Sequence, residues 1–290
     1  MASCIGNMII NGYLSYTAIA LNITTILALR KTASLPKPLK TLLLSLAISD
    51  LSVGLVLQPW YVKILSTLMG SEKTPNLQTT FKEFLSTAWF LCSVSFLGVV
   101  AISVDRFLAI HLHLRYQEFV TRRRAVALVI FVWVMSAFLT TLVDSVLKQN
   151  GAVVYISIEA LSLITTALFY YQIYIVVKRQ TNQMQNLRIQ QEQTENIANA
   201  ARLRKSALGT FWVYVVFLAC YLPDIIIHTA ILSADKNSAL LNNLHLWALT
   251  LVFFHSSINP LIYCWNMRHI QYTILDIIRT ISFSLGVKVK

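Results

Sequence analysis

The most prominent feature of the chain is a set of seven long apolar stretches that are almost free of charged residues. Each stretch is near or above the roughly 20 residues that an α-helix needs to cross the hydrocarbon layer of a membrane. Hydrocarbon offers no hydrogen-bond partners to the backbone, so such a segment must be helical. The pattern therefore predicts an all-α fold, a bundle of seven transmembrane helices. In chain order, the predicted spans are Tyr13–Leu29, Thr41–Val62, Phe84–Val104, Ala125–Val143, Ala152–Val177, Ser206–Leu232 and Ser238–Met267.

Composition and charge distribution support a membrane protein and give its orientation. The chain of 290 residues is 56% hydrophobic and only 12% charged, whereas soluble proteins have about 25% charged residues. The net charge of +12 does not indicate nucleic-acid binding, because all but five of the 24 Lys and Arg residues fall on one side of the predicted bundle. By the positive-inside rule that side is cytoplasmic, so we expect a multi-pass plasma-membrane protein with its N-terminus outside. The basic side is also expected to contact anionic membrane lipid.

The connections between the spans are mostly short, which indicates one bundle and not two domains. We expect residues 1–12 to form a short extracellular tail and residues 13–267 the seven-helix domain. Residues 268–290 are predicted to form an amphipathic helix along the inner membrane surface and a short cytoplasmic tail. The apolar positions that recur there at helical spacing are Ile270, Ile274, Ile277 and Ile281.

Several polar residues lie inside the apolar spans, where polar groups are costly and need a specific reason. Asp50 lies in the middle of the second span, and the polar residues at comparable depth are Asn22, Ser95, Ser256 and Asn259. Two interpretations are open for these residues. They surround a cation or a water network, or they form a structural hydrogen-bond network without an ion.

Three short motifs lie at defined points of the spans. Asp105-Arg106-Phe107 closes the third span, Cys220–Pro223 reads C-Y-L-P in the sixth, and Asn259–Tyr263 reads N-P-L-I-Y in the seventh. A proline inside a helix frees a backbone carbonyl and favours a kink. Taken singly, each motif is a common feature of membrane helices.

The motifs together, with Asn22, Asp50 and Trp133, occur in a specific order, span and depth. In this combination the chain resembles a rhodopsin-like (class A) G-protein-coupled receptor over essentially its whole length. The resemblance implies a receptor and not an enzyme, with no catalytic residues and no cofactor other than an allosteric sodium ion. It also implies an extracellular ligand in the outer half of the bundle. Outward movement of the sixth span then admits a heterotrimeric G protein, and arrestin is a further cytoplasmic partner.

The resemblance assigns roles to individual residues. The residues implied in G-protein coupling and switching are Asp105, Arg106, Tyr170, Asn259, Pro260 and Tyr263. Those implied in the relay between ligand site and cytoplasm are Phe96, Phe217, Tyr221 and Pro223. The sodium site implied by the resemblance consists of Asp50, Ser95 and Asn259.

The chain departs from the family pattern at several positions. Phe81 stands where the third span usually has a cysteine, and Ser162 replaces the usual proline of the fifth span. With a very short fourth connection, these losses place the chain nearest the branch of melanocortin, cannabinoid, adenosine and related lipid receptors. Leu203 replaces an acidic residue that restrains the arginine of the third span in some members. We therefore expect appreciable basal signalling.

The ligand pocket implied by the resemblance lacks two familiar anchors. Ala88 stands where amine receptors carry aspartate, and Phe253 stands where opsins carry the retinal lysine. A pocket with mainly aromatic and apolar walls favours a small molecule. The residues expected to line it are Trp60, Ala88, Trp89, Cys92, Tyr155, Glu159, Asp224, His228 and His245.

Three charged or titratable residues of this pocket have two interpretations. Asp224 and His228 are spaced i,i+4 on one helical face, and Glu159 lies at similar depth in the fifth span. One interpretation is a counter-ion for a cationic ligand. The other is that Asp224 and His228 satisfy each other while Glu159 is neutral or pairs elsewhere.

Two other function classes are compatible with seven spans. A transporter or channel would use Asp50, Glu159 and Asp224 along a conduction path, but the chain has no internal repeat. A membrane enzyme would need paired catalytic residues at one depth, and the sequence shows neither these nor a nucleophile motif. The receptor interpretation is therefore favoured.

Overall fold

A computed structural model describes the backbone of residues 2–33, 35–70, 76–112, 115–146, 151–187, 194–233, 239–266 and 270–277. Within these ranges, the side chains of residues 2, 180–187, 194–210, 239, 263, 264 and 266 are not described. All regular structure in the described ranges is helical. The helices are α1 (Ala2–Lys31), α2 (Lys37–Ser52), α3 (Gln58–Met69), α4 (Leu77–His111), α5 (Tyr116–Phe119), α6 (Arg122–Ser145), α7 (Gly151–Leu187), α8 (Thr194–Ser233), α9 (Ala239–Asn266) and α10 (residues 270–277).

The helices reproduce the predicted bundle of seven spans. The first span is α1, the second is α2 with α3, and the third to seventh are α4, α6, α7, α8 and α9. The bundle closes on itself because α9 packs against both α8 and α1. The fourth span contacts the second through Trp133, whose indole N–H donates to the Ser45 hydroxyl at 3.0 Å. The predicted fold class is therefore confirmed.

Six of the described helical spans are long and apolar enough to cross a membrane, judged by length and composition. The seventh span, α9, has 28 residues and so has the necessary length. It carries Asn242, Asn243, His245, His255 and Asn259 among its apolar residues. The polar groups of α9 face the interior of the bundle at several points, and they build much of the site described below.

The first helix begins at Ala2, so residues 2–12, assigned from the sequence to a tail, form its first turns. Two asparagines in these turns are fully buried against the seventh span. The Thr250 hydroxyl donates to Asn7 Oδ1 at 2.5 Å and accepts from Asn11 Nδ2 at 2.8 Å. These bonds explain why polar residues precede the apolar run of α1: they pair with α9.

The second span contains a feature that the sequence analysis does not predict, a π-helical segment over Val53–Leu57. It lies directly before Pro59, which is in the first turn of α3. The proline ring would clash with the carbonyl four residues earlier in an α-helix, and the wider π-turn relieves that clash. The segment also exposes the Gly54 carbonyl, which accepts a hydrogen bond from Ser15 of α1 at 2.8 Å.

Much of the outer surface of the bundle is apolar. On α6, the exposed large side chains include Ile130, Phe131, Val134 and Phe138. An apolar surface of this kind is stable against lipid and would be unfavourable in water. The last described helix, α10, shows the expected two-sided pattern, since Ile270 and Ile277 are buried while Tyr272 is exposed. Ile281, Arg268 and Arg279 lie outside the described residues.

Candidate functional site

A buried polar cluster connects the second and seventh spans at the middle of the bundle. Asp50, Ser256 and Asn259 are each completely buried. Ser256 Oγ donates to Asp50 Oδ1 at 2.9 Å, and Asn259 Nδ2 donates to Asp50 Oδ2 at 2.9 Å. Both carboxylate oxygens therefore have a hydrogen-bond donor. We call these residues, with His255, the Asp50 cluster.

The first span joins this cluster through Asn22. Its side-chain amide donates to the backbone carbonyl of Ser256 at 2.8 Å. That carbonyl precedes Pro260 by four residues, and Pro260 has no N–H to satisfy it. The asparagine of the first span thus replaces the hydrogen bond that the proline of the seventh span removes.

A further member of this cluster, His255, was not predicted from the sequence. It is 1% exposed and lies against Asp50. Its Nε2 is 3.2 Å from Asp50 Oδ1, and its Nδ1 contacts the backbone carbonyl of Val252. A neutral imidazole has only one N–H, whereas the imidazolium form donates from both nitrogens. The imidazole therefore lies between two hydrogen-bond acceptors, the Asp50 carboxylate and a backbone carbonyl. The signal in the sequence was its position one helical turn before Asn259.

The residues implied as a sodium site are not all in contact with Asp50. Ser95 Oγ lies 3.1 Å from Ser49 Oγ, in a hydrogen bond between the third and second spans. Within the described residues, the Oδ1 atoms of Asn22 and Asn259 have no hydrogen-bond partner. These buried oxygens suit a small hard cation. The imidazole of His255, however, already lies against one oxygen of the carboxylate such a cation would need.

The relay residues form one aromatic group beside the Asp50 cluster. The ring of Phe96 lies 5.7 Å from Phe217 and 4.3 Å from Tyr221, measured between centroids. Phe217 also lies 4.8 Å from His255. The aromatic group therefore contacts the polar cluster directly, and its member Tyr221 lies two residues before Pro223, which is inside α8.

At one end of the bundle, called the Arg106 end, Asp105 and Arg106 form a buried ion pair. Arg106 Nε donates to Asp105 Oδ2 at 3.0 Å, and the Tyr116 hydroxyl donates to Asp105 Oδ1 at 2.6 Å. Tyr116 lies on α5, between the third and fourth spans, and the sequence analysis did not single it out. Burial, reinforced by the Asp105 carboxylate, raises the pKa of the Tyr116 phenol, so the group remains a donor.

Of the other switch residues, Asn259 and Pro260 lie in the part of α9 that contacts Asp50. Tyr170 on α7 is buried, and its ring stacks on Tyr214 of α8 with centroids 5.5 Å apart. The side chains of Tyr263 and Leu203 are not among those described. Their implied roles stay predictions.

At the opposite end, called the Asp224 end, Asp224 and His228 of α8 meet His245 of α9. His228 Nδ1 lies 3.5 Å from Asp224 Oδ2, and His245 Nδ1 lies 3.7 Å from Asp224 Oδ1. These contacts are longer than hydrogen bonds. Within the described residues, Asp224 Oδ1 and both Nδ1 atoms have no hydrogen-bond partner. We call these three residues the Asp224 cluster.

Aromatic residues predicted for the ligand pocket surround the Asp224 cluster. Trp89 stacks on Tyr155 with centroids 4.2 Å apart, and it lies 5.6 Å from the ring of His228. Glu159 is buried, and its carboxyl group lies near that of Asp224. The structure thus brings together residues from the third, fifth, sixth and seventh spans.

The remaining predicted pocket residues are arranged in two ways. Ala88 and Cys92 are buried on α4, the helix that carries Trp89. Trp60 instead belongs to a second aromatic group, in which its ring lies 5.9 Å from Phe84. Phe84 in turn contacts Phe253, the residue at the opsin lysine position, with centroids 6.2 Å apart.

A comparison with known protein families agrees with this arrangement of helices and motifs. The family described as 7 transmembrane receptor (rhodopsin family) matches the chain over residues 21–155 and 147–263. The matched ranges contain the Asp50 cluster, the Asp105–Arg106 pair and the Asp224 cluster.

Proposed function

The chain belongs to the rhodopsin family of seven-transmembrane receptors, and we propose that it couples an extracellular ligand to a heterotrimeric G protein. The ligand binds near the Asp224 end of the bundle, and the G protein binds at the Arg106 end. In this proposal the protein lies in the plasma membrane with its N-terminus outside. The bias of Lys and Arg toward the Arg106 side supports this orientation.

The observation that carries the proposal is the buried pair of Asp105 and Arg106. Arg106 is 2% exposed, and its carboxylate partner is also held by Tyr116. A buried charge of this kind is stable only while its partners remain in place. Release of Arg106 from Asp105 is therefore coupled to a rearrangement of the helix ends, which gives the bundle two alternative states.

A continuous set of contacts supports communication between the two ends. The aromatic group of Phe96, Phe217 and Tyr221 lies between the third and sixth spans and contacts His255 of the Asp50 cluster. Pro223 lies inside α8 beside this group and removes one backbone hydrogen bond of the helix. We propose that α8 pivots there, so that its Arg106 end moves outward. Arg106 then contacts the G protein, while Tyr170, Asn259, Pro260 and Tyr263 stabilise the open state.

For the ligand, we propose a small molecule held by the aromatic and apolar residues around Trp89 and Tyr155. Glu159 has a carboxylate oxygen without a hydrogen-bond partner in the described part of the chain. A buried acidic group of this kind suits a cationic group on the ligand. Glu159→Gln is expected to lower the potency of such a ligand while leaving basal signalling unchanged.

We also propose that a sodium ion and His255 compete for the Asp50 carboxylate. A sodium ion would take oxygens of Asp50 and Asn259, and the His255 imidazole already lies against Asp50 Oδ1. The ion would then bind only when the imidazole turns away from the carboxylate. This competition makes the chain less sensitive to sodium than its Asp50 cluster would otherwise suggest.

The proposed function is tested by measuring nucleotide exchange on purified G proteins in membranes that contain the receptor. We expect activity above that of receptor-free membranes even without a ligand. Arg106→Ala should abolish this activity, because it removes the group that contacts the G protein. Asp105→Asn should raise it by up to about tenfold, which corresponds to a shift of about 1.4 kcal/mol between the two states.

Two further measurements complete this test. Leu203→Glu should lower the basal exchange, because an acidic side chain at this position would restrain Arg106 in the inactive state. Arrestin recruitment in cells should follow the same order of variants if arrestin is a partner. Equal exchange by the unmodified receptor and Arg106→Ala, at equal amounts in the membrane, would contradict the proposed function.

A further inference from the structure

We propose that the Asp224 cluster binds a divalent transition-metal ion, Zn²⁺ in particular. One potential ligand atom from each of Asp224, His228 and His245 lies within 4.8 Å of the other two. The residues come from two consecutive helices, α8 and α9. Convergence of two imidazoles and a carboxylate on one point is the ligand set typical of such ions.

The distances within the cluster fit a metal ion better than direct hydrogen bonding. Ligands that bind zinc at about 2.0–2.1 Å in tetrahedral geometry lie about 3.4 Å from one another. The contacts from Asp224 to the two histidines are 3.5 and 3.7 Å. Hydrogen bonds between nitrogen and oxygen are shorter, at about 2.7–3.2 Å. The two contacts go to different oxygens of the carboxylate, and each is close to the separation expected between two ligands of one ion.

The unsatisfied polar atoms are an independent observation that points to a ligand. Asp224 Oδ1 and the Nδ1 atoms of His228 and His245 are buried without a hydrogen-bond partner among the described residues. Burial of such groups without a partner costs free energy in the folded protein. A bound cation would accept all of their lone pairs at once and offset that cost.

The packing around the cluster restrains the ligands before an ion binds. Asp224 and His228 are one helical turn apart on α8, directly after Pro223. The ring of His228 lies 4.5 Å from that of His245 and 5.6 Å from that of Trp89. The two histidine side chains retain 13% and 12% exposure, while their Nδ1 atoms are buried within the cluster.

The ligand types select among metals. Two nitrogens and one carboxylate oxygen favour Zn²⁺ and related transition metals, whereas Ca²⁺ and Mg²⁺ prefer oxygen ligands alone. Three protein ligands leave one position of a tetrahedral ion open for water or a further ligand.

A metal ion here would tie the sixth span to the seventh at the Asp224 end. This inference rests on the proposed function, in which α8 pivots near Pro223. A metal ion that links α8 to α9 would change the free energy of the open state relative to that of the closed state. Zn²⁺ would then modulate basal signalling and not merely stabilise the fold.

The binding itself is tested on purified, tag-free receptor by thermal unfolding with and without Zn²⁺. We expect Zn²⁺ at micromolar concentrations to raise the apparent Tm, because an ion that binds only the folded state stabilises it. His228→Ala and His245→Ala should each lose this shift. His111→Ala is the matched control, since His111 is an exposed histidine at the end of α4, and it should keep the shift.

Further variants distinguish the Asp224 cluster from a metal-binding thiol elsewhere in the chain. Cys4→Ser should also keep the shift, because Cys4 is a free thiol outside the cluster. His245→Cys should retain binding, since a thiolate can replace an imidazole as a zinc ligand. Co²⁺ should give the visible absorption of a four-coordinate ion in the unmodified receptor and not in His228→Ala.

Two results would overturn the proposal: the absence of a shift in the unmodified receptor, or an equal shift in both histidine variants. The metal measurement does not require a G protein. If Zn²⁺ binds but no condition produces nucleotide exchange, the proposed function fails and the metal site stands. If exchange occurs but Zn²⁺ does not bind, the reverse holds.

Discussion

Two carboxylates buried in the same bundle, Asp50 and Asp224, have very different surroundings. Asp50 receives hydrogen bonds of 2.9 Å from Ser256 and Asn259. Asp224 has two imidazoles at 3.5 and 3.7 Å, and its Oδ1 has no hydrogen-bond partner in the described part of the chain. Burial alone therefore does not tell what an acidic residue in a membrane does. The geometry of its partners distinguishes a group that holds helices together from one that is available to a ligand.

The difference follows from the chemistry of the neighbouring helix. Near Asp50, α9 offers a hydroxyl and a side-chain amide beside the His255 imidazole, and the first two donate without a change of protonation. Near Asp224, α8 and α9 offer histidines, whose nitrogens serve as donors, acceptors or metal ligands. Both oxygens of Asp50 therefore have donors within the chain, whereas Asp224 Oδ1 would obtain a partner from a bound cation.

The largest expected effect is a difference in stability between matched variants of the two carboxylates. Asp50→Ala should lower the free energy of unfolding by about 3 kcal/mol or more, because it leaves buried donors and His255 without their acceptor. Asp224→Ala should leave stability unchanged or raise it when a chelator is present, since its carboxylate lacks hydrogen bonds. Thermal unfolding of the purified receptor in lipid discs measures both. Equal losses would remove the distinction between the two clusters.

A smaller effect is expected from sodium at the Asp50 cluster. The unmodified receptor should have nearly the same apparent Tm in sodium chloride and in choline chloride, because His255 competes for Asp50. His255→Asn should gain stability in sodium, by roughly 1.4–2.0 kcal/mol at 10 to 30 times the dissociation constant. The double variant with Asp50→Asn should lose this gain. Strong sodium stabilisation of the unmodified receptor would show that His255 does not compete.

The smallest expected effect is a difference in stability between variants of two buried serines, Ser256 and Ser95. Ser256 donates to the Asp50 carboxylate, whereas Ser95 exchanges a hydrogen bond with the Ser49 hydroxyl. Hydrogen bonds between membrane helices contribute about 0.6 kcal/mol on average and up to about 1.7 kcal/mol. Those to a charged acceptor are roughly twice as strong as neutral ones. Ser256→Ala should therefore cost more stability than Ser95→Ala in the same unfolding assay, and the reverse order would place Ser95 in the Asp50 cluster.

The seven spans were predictable from the sequence because the bilayer imposes length and composition on each of them. The Asp105–Arg106 pair and the approach of Asn259 to Asp50 also followed, since the motifs that contain them are specific in combination. Individual spans were harder to delimit. The first helix extends to Ala2 because Asn7 and Asn11 pair with Thr250, a contact between distant parts of the chain.

The residues that were missed have weak local signals. His255 is a single histidine in an apolar span, and only the packing of α9 against α2 shows that it faces Asp50. Tyr116 lies in a connection, where neither periodicity nor hydropathy indicates a partner. The π-helical segment at Val53–Leu57 follows from Pro59, yet a proline permits a kink as well as a π-turn.

The polarity of α9 has a consequence for how the protein is made. Each asparagine, histidine and serine side chain of α9 lowers the tendency of this helix to insert into the membrane by itself, because a polar group exposed to lipid disfavours transfer. Its partners, Asn7, Asn11 and Asn22 of α1 and Asp50 of α2, belong to helices that are synthesised earlier. The last helix is therefore expected to enter the membrane against helices already in place. Assembly of the receptor in the cell thus depends on α1 and α2 being in the membrane before α9 inserts.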